Sequence, residues 1–274
     1  MGGAAFGVDF GGRGVVVTGA ARGQGLAEAA LFAELGAEVF LVDVAPGVVA
    51  AAAGLARRGG DVHAIQADVS SEADWARIVD AVTGERDSLD VLVNNAAVIA
   101  TTGVRHTGAA EWERSLGVNL VGPALGCRAV APLMIAAGRG CIVNVGSVAA
   151  FGGYFSAPYA VSKWGLRGLT RVAAAELGPH GVRAVAVHPG IVETPMSDGP
   201  GSPVAAFTSM TPAGRALSPE EVAGVVVFVA SDHAAYLNGS DVVLDGGLLA
   251  AGPFAEIRRR IAAAASHELD GPAG

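Results

Sequence analysis

The sequence predicts an α/β fold: a doubly wound, seven-stranded parallel sheet with helices on both faces, in a single domain spanning 1–274. Three observations carry this. Short β-branched apolar runs alternate with longer segments of helical period from residue 14 to residue 247. The apolar runs are continuous rather than alternating, as in strands covered on both faces. No linker-like stretch divides the alternation.

The elements follow in order. "GVVVTG" (14–19) reads as a buried strand, and "QGLAEAALFAELG" (24–36) as a helix stopped by Gly36. "EVFLVD" (38–43) is a second strand, followed by an Ala/Val-rich helix to about Arg58. "DVHAIQADV" (61–69) is a third, and "SEADWARIVDAVTGE" (71–85) a helix with a Ser/Glu start signal. "LDVLVNNA" (89–96) is a fourth strand. Residues 109–137 read as one long helix bent near Pro123. "CIVNVGS" (141–147), a helix over 157–177 and "VRAVAVHPG" (182–190) come next. "SPEEVAGVVVFVAS" (218–231) opens with a capping pattern, and "SDVVLDGG" (240–247) is the seventh strand. Two segments break the rhythm. Residues 191–217, rich in Pro, Gly, Ser and Thr, read as a long loop or substrate lid, and 252–274 as a tail with a short helix and a frayed Gly/Pro end.

Composition narrows the function. With 51% hydrophobic and 16% charged residues the chain is globular, not disordered. A net charge of −8 argues against nucleic acid as a partner. The N-terminus shows no signal-peptide pattern, and no uninterrupted apolar run is long enough to suggest a membrane span. Two cysteines, Cys127 and Cys141, make no disulfide framework and fit a reducing cytoplasm. No His/Cys/Asp grouping has metal-ligand spacing, so no catalytic metal is expected.

"TGAARGQG" (18–25) joins the first strand to the first helix. Gly19 permits a tight turn, Gly23 a close approach of phosphate, and Gly25 close helix–sheet packing. Arg22 and Gln24 lie in the same loop. This context is that of a Rossmann-type dinucleotide site. Asp43, ending the second strand, can accept hydrogen bonds from the adenosine ribose and would repel a 2′-phosphate, so NAD is the expected cofactor. Arg22 is the opposing signal, since a loop cation can hold a 2′-phosphate. Asp68 and Val69 could meet the adenine, or Asp68 could simply cap the next helix.

"TGAARGQG", "NNAA" (94–97), Asn119, Ser147, "YAVSK" (159–163) and "HPGIVETP" (188–195) share the order and spacing of the short-chain dehydrogenase/reductase family, which the chain resembles from about residue 12 to 247. "SKWGLRGLT" and "VHPGIVETPM" are most similar to bacterial NAD-dependent 3α/20β-hydroxysteroid dehydrogenases. Ala97 and Gly146 depart from the family pattern, which has Gly and commonly a second Ser there. The resemblance implies hydride transfer with Tyr159 as acid/base. Lys163 lies one helical turn on, and its ammonium would favour phenolate and hold the nicotinamide ribose. Ser147 would stabilise the developing alkoxide, and Asn119 would hold a water linking Lys163 to solvent. It also implies cofactor contacts at Asn95, Ala96, Pro189, Gly190, Val192 and Thr194. His188 reads as structural or pocket-lining.

Substrate groups must come from beyond the carboxyl ends of the strands. Ser147, Ala149, Phe151, Tyr154, Tyr159, Gly190, Met196 and Phe207 are the candidates, with Trp164 a further pointer to steroid-like members. Their apolar character suits a secondary alcohol or ketone on a cyclic or steroid-like skeleton. The alternatives are a 3-oxoacyl-carrier-protein-type reductase and a non-catalytic NAD-binding relative. The family resemblance further implies a homotetramer joined through the helices at 109–137 and 157–177.

Overall fold

Val15 and Val17 face one layer of the molecule and Val16 the other, and the same two-residue period sorts every central strand between two cores. In this computed structural model, which describes residues 7–100, 102–197, 202 and 204–269 (262–269 by backbone alone), seven parallel strands lie in the order β3-β2-β1-β4-β5-β6-β7. They are β1 (Gly14–Thr18), β2 (Glu38–Asp43), β3 (Asp61–Gln66), β4 (Val91–Asn94), β5 (Gly140–Val145), β6 (Val182–Pro189) and β7 (Asp241–Leu244). The order reverses between β1 and β4, which opens a crevice at their carboxyl ends.

The first core is closed by α1 (Gly23–Glu34), α2 (Gly47–Ala56) and α8 (Pro219–Ala230), with Phe32, Val48, Val222 and Val226 against Val15, Val17, Leu41 and Val185. Phe10 meets Phe32 edge-on at 4.9 Å, a pairing worth about 0.5–1.5 kcal/mol beyond its burial. The second core is closed by α3 (Glu72–Glu85), α5 (Gly122–Ala137) and α6 (Ala157–Leu177). Trp75 of α3 is buried there, and its indole N–H donates to Val69 O at 2.9 Å. Start signals act as expected: Ser71 caps α3 by accepting Asp74 N–H, and Ser218 with Glu221 forms a reciprocal capping box on α8.

Three expectations are corrected. The long helix is α4 (Ala109–Leu116) and α5 joined by a π-helical turn, Gly117–Val121, in which Gly122 N–H reaches back to Gly117 O. The irregularity precedes Pro123 rather than sitting at it. Pro123 has no N–H to bond the Asn119 carbonyl four residues earlier, and the turn before it widens. The lid is not all loop: it holds α7 (Val204–Met210), and Val192 pairs with Leu217 in a parallel bridge at its base. Lid residues 198–201 and 203 lie outside the described residues. The tail helix α9 (Leu248–Leu269) starts earlier and runs longer than the short helix expected, with Pro253 within it; the Gly/Pro end, 270–274, lies outside the described residues. By length and composition Ala109–Ala137 could also cross a membrane, although the run is interrupted by charge; Cys127, Val130 and Met134 of this stretch pack in the second core.

Candidate active site

Thr18, the last residue of β1, holds the two halves of the crevice together. Its hydroxyl accepts the N–H groups of Asn95 and Ala96 at 3.0 and 3.1 Å and donates to Val93 O at 3.2 Å. The Asn95 side chain returns a bond to Thr18 O at 2.9 Å. Gly19 and Gly23 have φ of +69° and +58°, a left-handed region that suits glycine. A Cβ on Gly25 would lie 2.3 Å from Gly19 O and 2.5 Å from Asn95 Nδ2. The start of α1 has no side-chain cap and no acid in its first turn. Its free N–H groups and helix dipole therefore form a cradle that fits a pyrophosphate.

Asp43 is fixed beside this cradle. One carboxylate oxygen accepts Ala21 N–H at 3.0 Å and the other Ala45 N–H at 2.9 Å, and further lone pairs remain for a ribose. Arg22 lines the same cavity, exposed. Asp68 also lines it, and its carboxylate accepts Ser70 N–H and Oγ–H; it does not cap the next helix, because Ser71 takes that role on α3. The cavity, about 920 Å³, is lined too by Gly19, Gly23, Gln24, Gly25, Val69, Asn95 and Ala96. Pro189, Gly190, Val192 and Thr194 line the β6 side. Gln24 bridges Asn95 and the buried Glu28. Val98, Ile99, Glu113 and Arg114 also line the cavity, a contribution without a motif signal.

Tyr159, Lys163 and Ser147 meet in this cavity. The Lys163 side chain is buried, and its Nζ donates to Val145 O at 2.7 Å. Burial lowers its pKa to about 8. Burial also raises the Tyr159 phenol above its usual value, opposed by its interaction with the Ser147 hydroxyl. Ser147 Oγ accepts Ala149 N–H at 3.2 Å as the chain leaves β5. Asn119 is buried behind this group rather than in the cavity lining. Both of its amide hydrogens are engaged, by Val98 O and Ser162 Oγ, and its Oδ1 accepts Val98 N–H.

The substrate candidates divide. Ser147, Tyr154, Tyr159, Gly190 and Met196 line the cavity. Tyr154 packs against Phe155, Tyr159 and Phe207 at 4.2, 5.9 and 6.0 Å between ring centres. Phe207 thus backs the lining residue Tyr154 and does not itself line the cavity. Ala149 and Phe151 do not line it either: a 3-10 turn, Val148–Ala150, buries the first and turns the second onto His188 and Arg167. Trp164 stands half exposed on the outer face of α6, beside Arg167. The buried His188 pairs with Asp241, neither of which lines the cavity.

One metal-type grouping that spacing did not suggest brings atoms of Glu38, His63 and Glu85 within 4.8 Å of one another. It lies at the opposite end of the sheet, and Arg86 already donates to Glu38 at 2.8 Å.

The profile of a family described as Enoyl-(Acyl carrier protein) reductase matches residues 19–249. The chain is 40% identical over 242 residues to a cyclopentanol dehydrogenase from a Comamonas strain, an alignment covering 86% of this chain and 96% of the relative. It is 39% identical over 241 residues to a 3-alpha-(or 20-beta)-hydroxysteroid dehydrogenase from Mycobacterium bovis, covering 87% and 90%. A solved structure from Beutenbergia cavernae, described as an NAD(P)-dependent gluconate 5-dehydrogenase with bound NADP at low occupancy, matches with a TM-score of 0.81 and 36% identity over 88% of this chain and 98% of its own.

Proposed function

This chain belongs to the short-chain dehydrogenase/reductase family, and on that premise we propose that it is an NAD-dependent dehydrogenase of apolar, cyclic or steroid-like secondary alcohols and their ketones. The observation that carries the reading is the meeting of Tyr159, Lys163 and Ser147 in the cavity that also holds the glycine cradle and Asp43. The nicotinamide, when bound, supplies the acceptor or donor of the hydride. The rest falls to this chain's own side chains. Tyr159 takes the alcohol proton in oxidation and returns it in reduction. Lys163, one turn on, favours the phenolate by its charge and holds a ribose hydroxyl. Ser147 donates to the substrate oxygen as negative charge grows there. Gly19, Gly23 and Gly25 admit the pyrophosphate, with Arg22 and Gln24 beside it, and Asp43 selects the ribose diol.

Asp43 supports NAD, whereas Arg22 and the NADP in the Beutenbergia relative support the phosphorylated form. We weigh the fixed carboxylate more heavily, because it would have to be desolvated beside a second anion, while Arg22 stays in solvent. Tyr154, Met196 and the aromatic backing of Phe207 support an apolar substrate. Val161, Trp164 and Val172, on the outer face of α6, are about half exposed or more and support burial against further copies in a homotetramer. The buried, unpaired Cys127 and Cys141 support a reducing cytoplasm, and the unbroken sheet supports one domain over 1–274.

A carrier-protein reductase is the second reading, favoured by the description of the matched family. The two separate in one assay. A panel of cyclopentanol, cyclohexanols and hydroxysteroids is offered with NAD⁺ and NADP⁺, and reduced nicotinamide is followed by absorbance. Turnover of cyclic alcohols with NAD⁺ preferred is expected. Failure on every alcohol, with NADPH-dependent turnover of an acyl thioester, would overturn the proposal.

A further inference from the structure

The chain around Ser147 is held by side chains that never reach the cavity. Ser147 N–H donates to His188 Nδ1 at 3.2 Å. Nδ1 also lies 3.3 Å from Ser147 O, but the Asp241 carboxylate can only accept, so the neutral ring carries its proton on Nε2, which donates to Asp241 Oδ1 at 2.9 Å and leaves Nδ1 to accept. The other Asp241 oxygen accepts Arg167 Nε and Nη2 at 3.2 and 3.0 Å, and Arg171 as well. Arg167 completes the loop: its Nη1 donates to Ala150 O at 2.9 Å, and its guanidinium lies 4.0 Å from the centre of the Phe151 ring. Phe151 in turn stands edge-on to His188 at 4.9 Å.

Gly146 makes this arrangement possible. A Cβ there would lie 2.2 Å from His188 Nδ1, a collision with a fully buried ring held at both nitrogens. Any side chain at 146 and the imidazole at 188 therefore compete for one space.

We propose that Asp241, through His188 and Arg167, is the positioning device for Ser147, and that Gly146 and His188 form an obligate pair within it. This rests on Ser147 acting on the substrate oxygen as described above. The clamp grips the segment at both ends, at Ser147 N–H and at Ala150 O, so it sets where the serine hydroxyl stands relative to Tyr159. An error of about 1 Å there is enough to lower turnover strongly while leaving the cofactor cradle untouched. His188 is a positioning residue, since it is fully buried and does not line the cavity.

The test compares His188→Leu, His188→Asn, Gly146→Ala and the double variant Gly146→Ala/His188→Ala, together with His188→Ala. Each is read by kcat, by KM for NAD⁺ and by hydrogen exchange of the 146–151 backbone without substrate. His188→Leu is expected to lower kcat about 10- to 100-fold with KM for NAD⁺ within about twofold, and to speed exchange across 146–151. The Asn amide oxygen sits close to the place of Nδ1, so His188→Asn should recover most of kcat. The Gly146→Ala and His188→Ala losses should be less than additive in the double variant, because removing the ring makes room for the methyl. Wild-type kcat in His188→Leu, strict additivity, or unchanged exchange at 146–151 would each overturn the clamp. If His188→Leu does not fold, His188→Asn and Gly146→Ala carry the same readouts. A wild-type chain that oxidises no alcohol, while His188→Leu still speeds exchange at 146–151, would sink the functional reading and leave the clamp standing.

Discussion

The ammonium nitrogen of Lys163 stands 5.6 Å from the centre of the Tyr159 ring, one helical turn away on α6 and sealed from solvent. In an apolar setting a charge at that distance acts strongly on the phenol, because little water screens it. In the proposed mechanism this neighbour would offset part of the cost that burial places on the phenolate.

Tyr159→Phe is therefore expected to lower kcat by about 10²- to 10⁴-fold, while NADH still binds with near wild-type affinity by fluorescence titration. Turnover within tenfold of wild type would remove Tyr159 from the chemistry. Oxidation needs the deprotonated phenol, so kcat/KM should rise with pH to a plateau. Lys163→Met, which deletes the positive charge, should move that rising limb up by about one pH unit or more.

Asp43→Asn keeps the shape of the ribose subsite and removes its charge, leaving Arg22 unopposed. The NADP⁺/NAD⁺ ratio of kcat/KM is expected to rise about tenfold, which corresponds to about 1.4 kcal/mol. An unchanged ratio in steady-state assays would show that Asp43 does not set the cofactor.

Glu28, fully buried on α1, has one carboxyl oxygen bonded to Gln24 and the other without a partner. Burial pushes its pKa up to about 8, only partly offset by Gln24. Folding thus favours the protonated acid. The stability it contributes is fully present below its unfolded pKa of about 4.5 and is lost as pH rises through about 8. Glu28→Gln should raise stability by about 4 kcal/mol at pH 8 and change it by less than about 1 kcal/mol at pH 5. Urea unfolding at the two pH values measures this, and an equal increment at both would refute it.

Gly25→Ala places a methyl group against Gly19 O and Asn95 Nδ2, both parts of the cradle. Backbone must move, so NADH affinity should fall at least about tenfold and unfolding free energy by about 1–3 kcal/mol. Calorimetric titration showing wild-type affinity would mean that the loop tolerates what its geometry forbids.

The five inner strands are legible in the sequence because they are buried on both faces and read as unbroken apolar runs, Val15 to Val17 and Val39 to Val42 among them, whereas β3 and β7 at the sheet edges are partly exposed and are legible from their place in the alternation. Tyr159 and Lys163 are legible because helical spacing alone puts them together. Phe151 is not, since a three-residue turn after Ser147 redirects it and no periodicity announces such a turn. Asn119 sits in a π-helical turn whose residues, "GVNLV", keep an ordinary helical pattern, so its side-chain partners cannot be inferred from spacing. His188, Arg167 and Asp241 come from three separate elements and meet only when β6, β7 and α6 are packed. The tail helix is legible, but its start at Leu248 is not, because Pro253 suggests an interruption where the chain continues helical.

The clamp has a consequence for the newborn chain. The glycine cradle and Asp43 are complete once β1, α1, β2 and β4 have left the ribosome, while Asp241 belongs to the last strand made. A nascent or truncated chain can thus assemble its nucleotide crevice early and still lack the anchor that steadies Ser147. On the proposed clamp, Ser147 would gain its anchor only with β7, after the residues of the nucleotide crevice have been made.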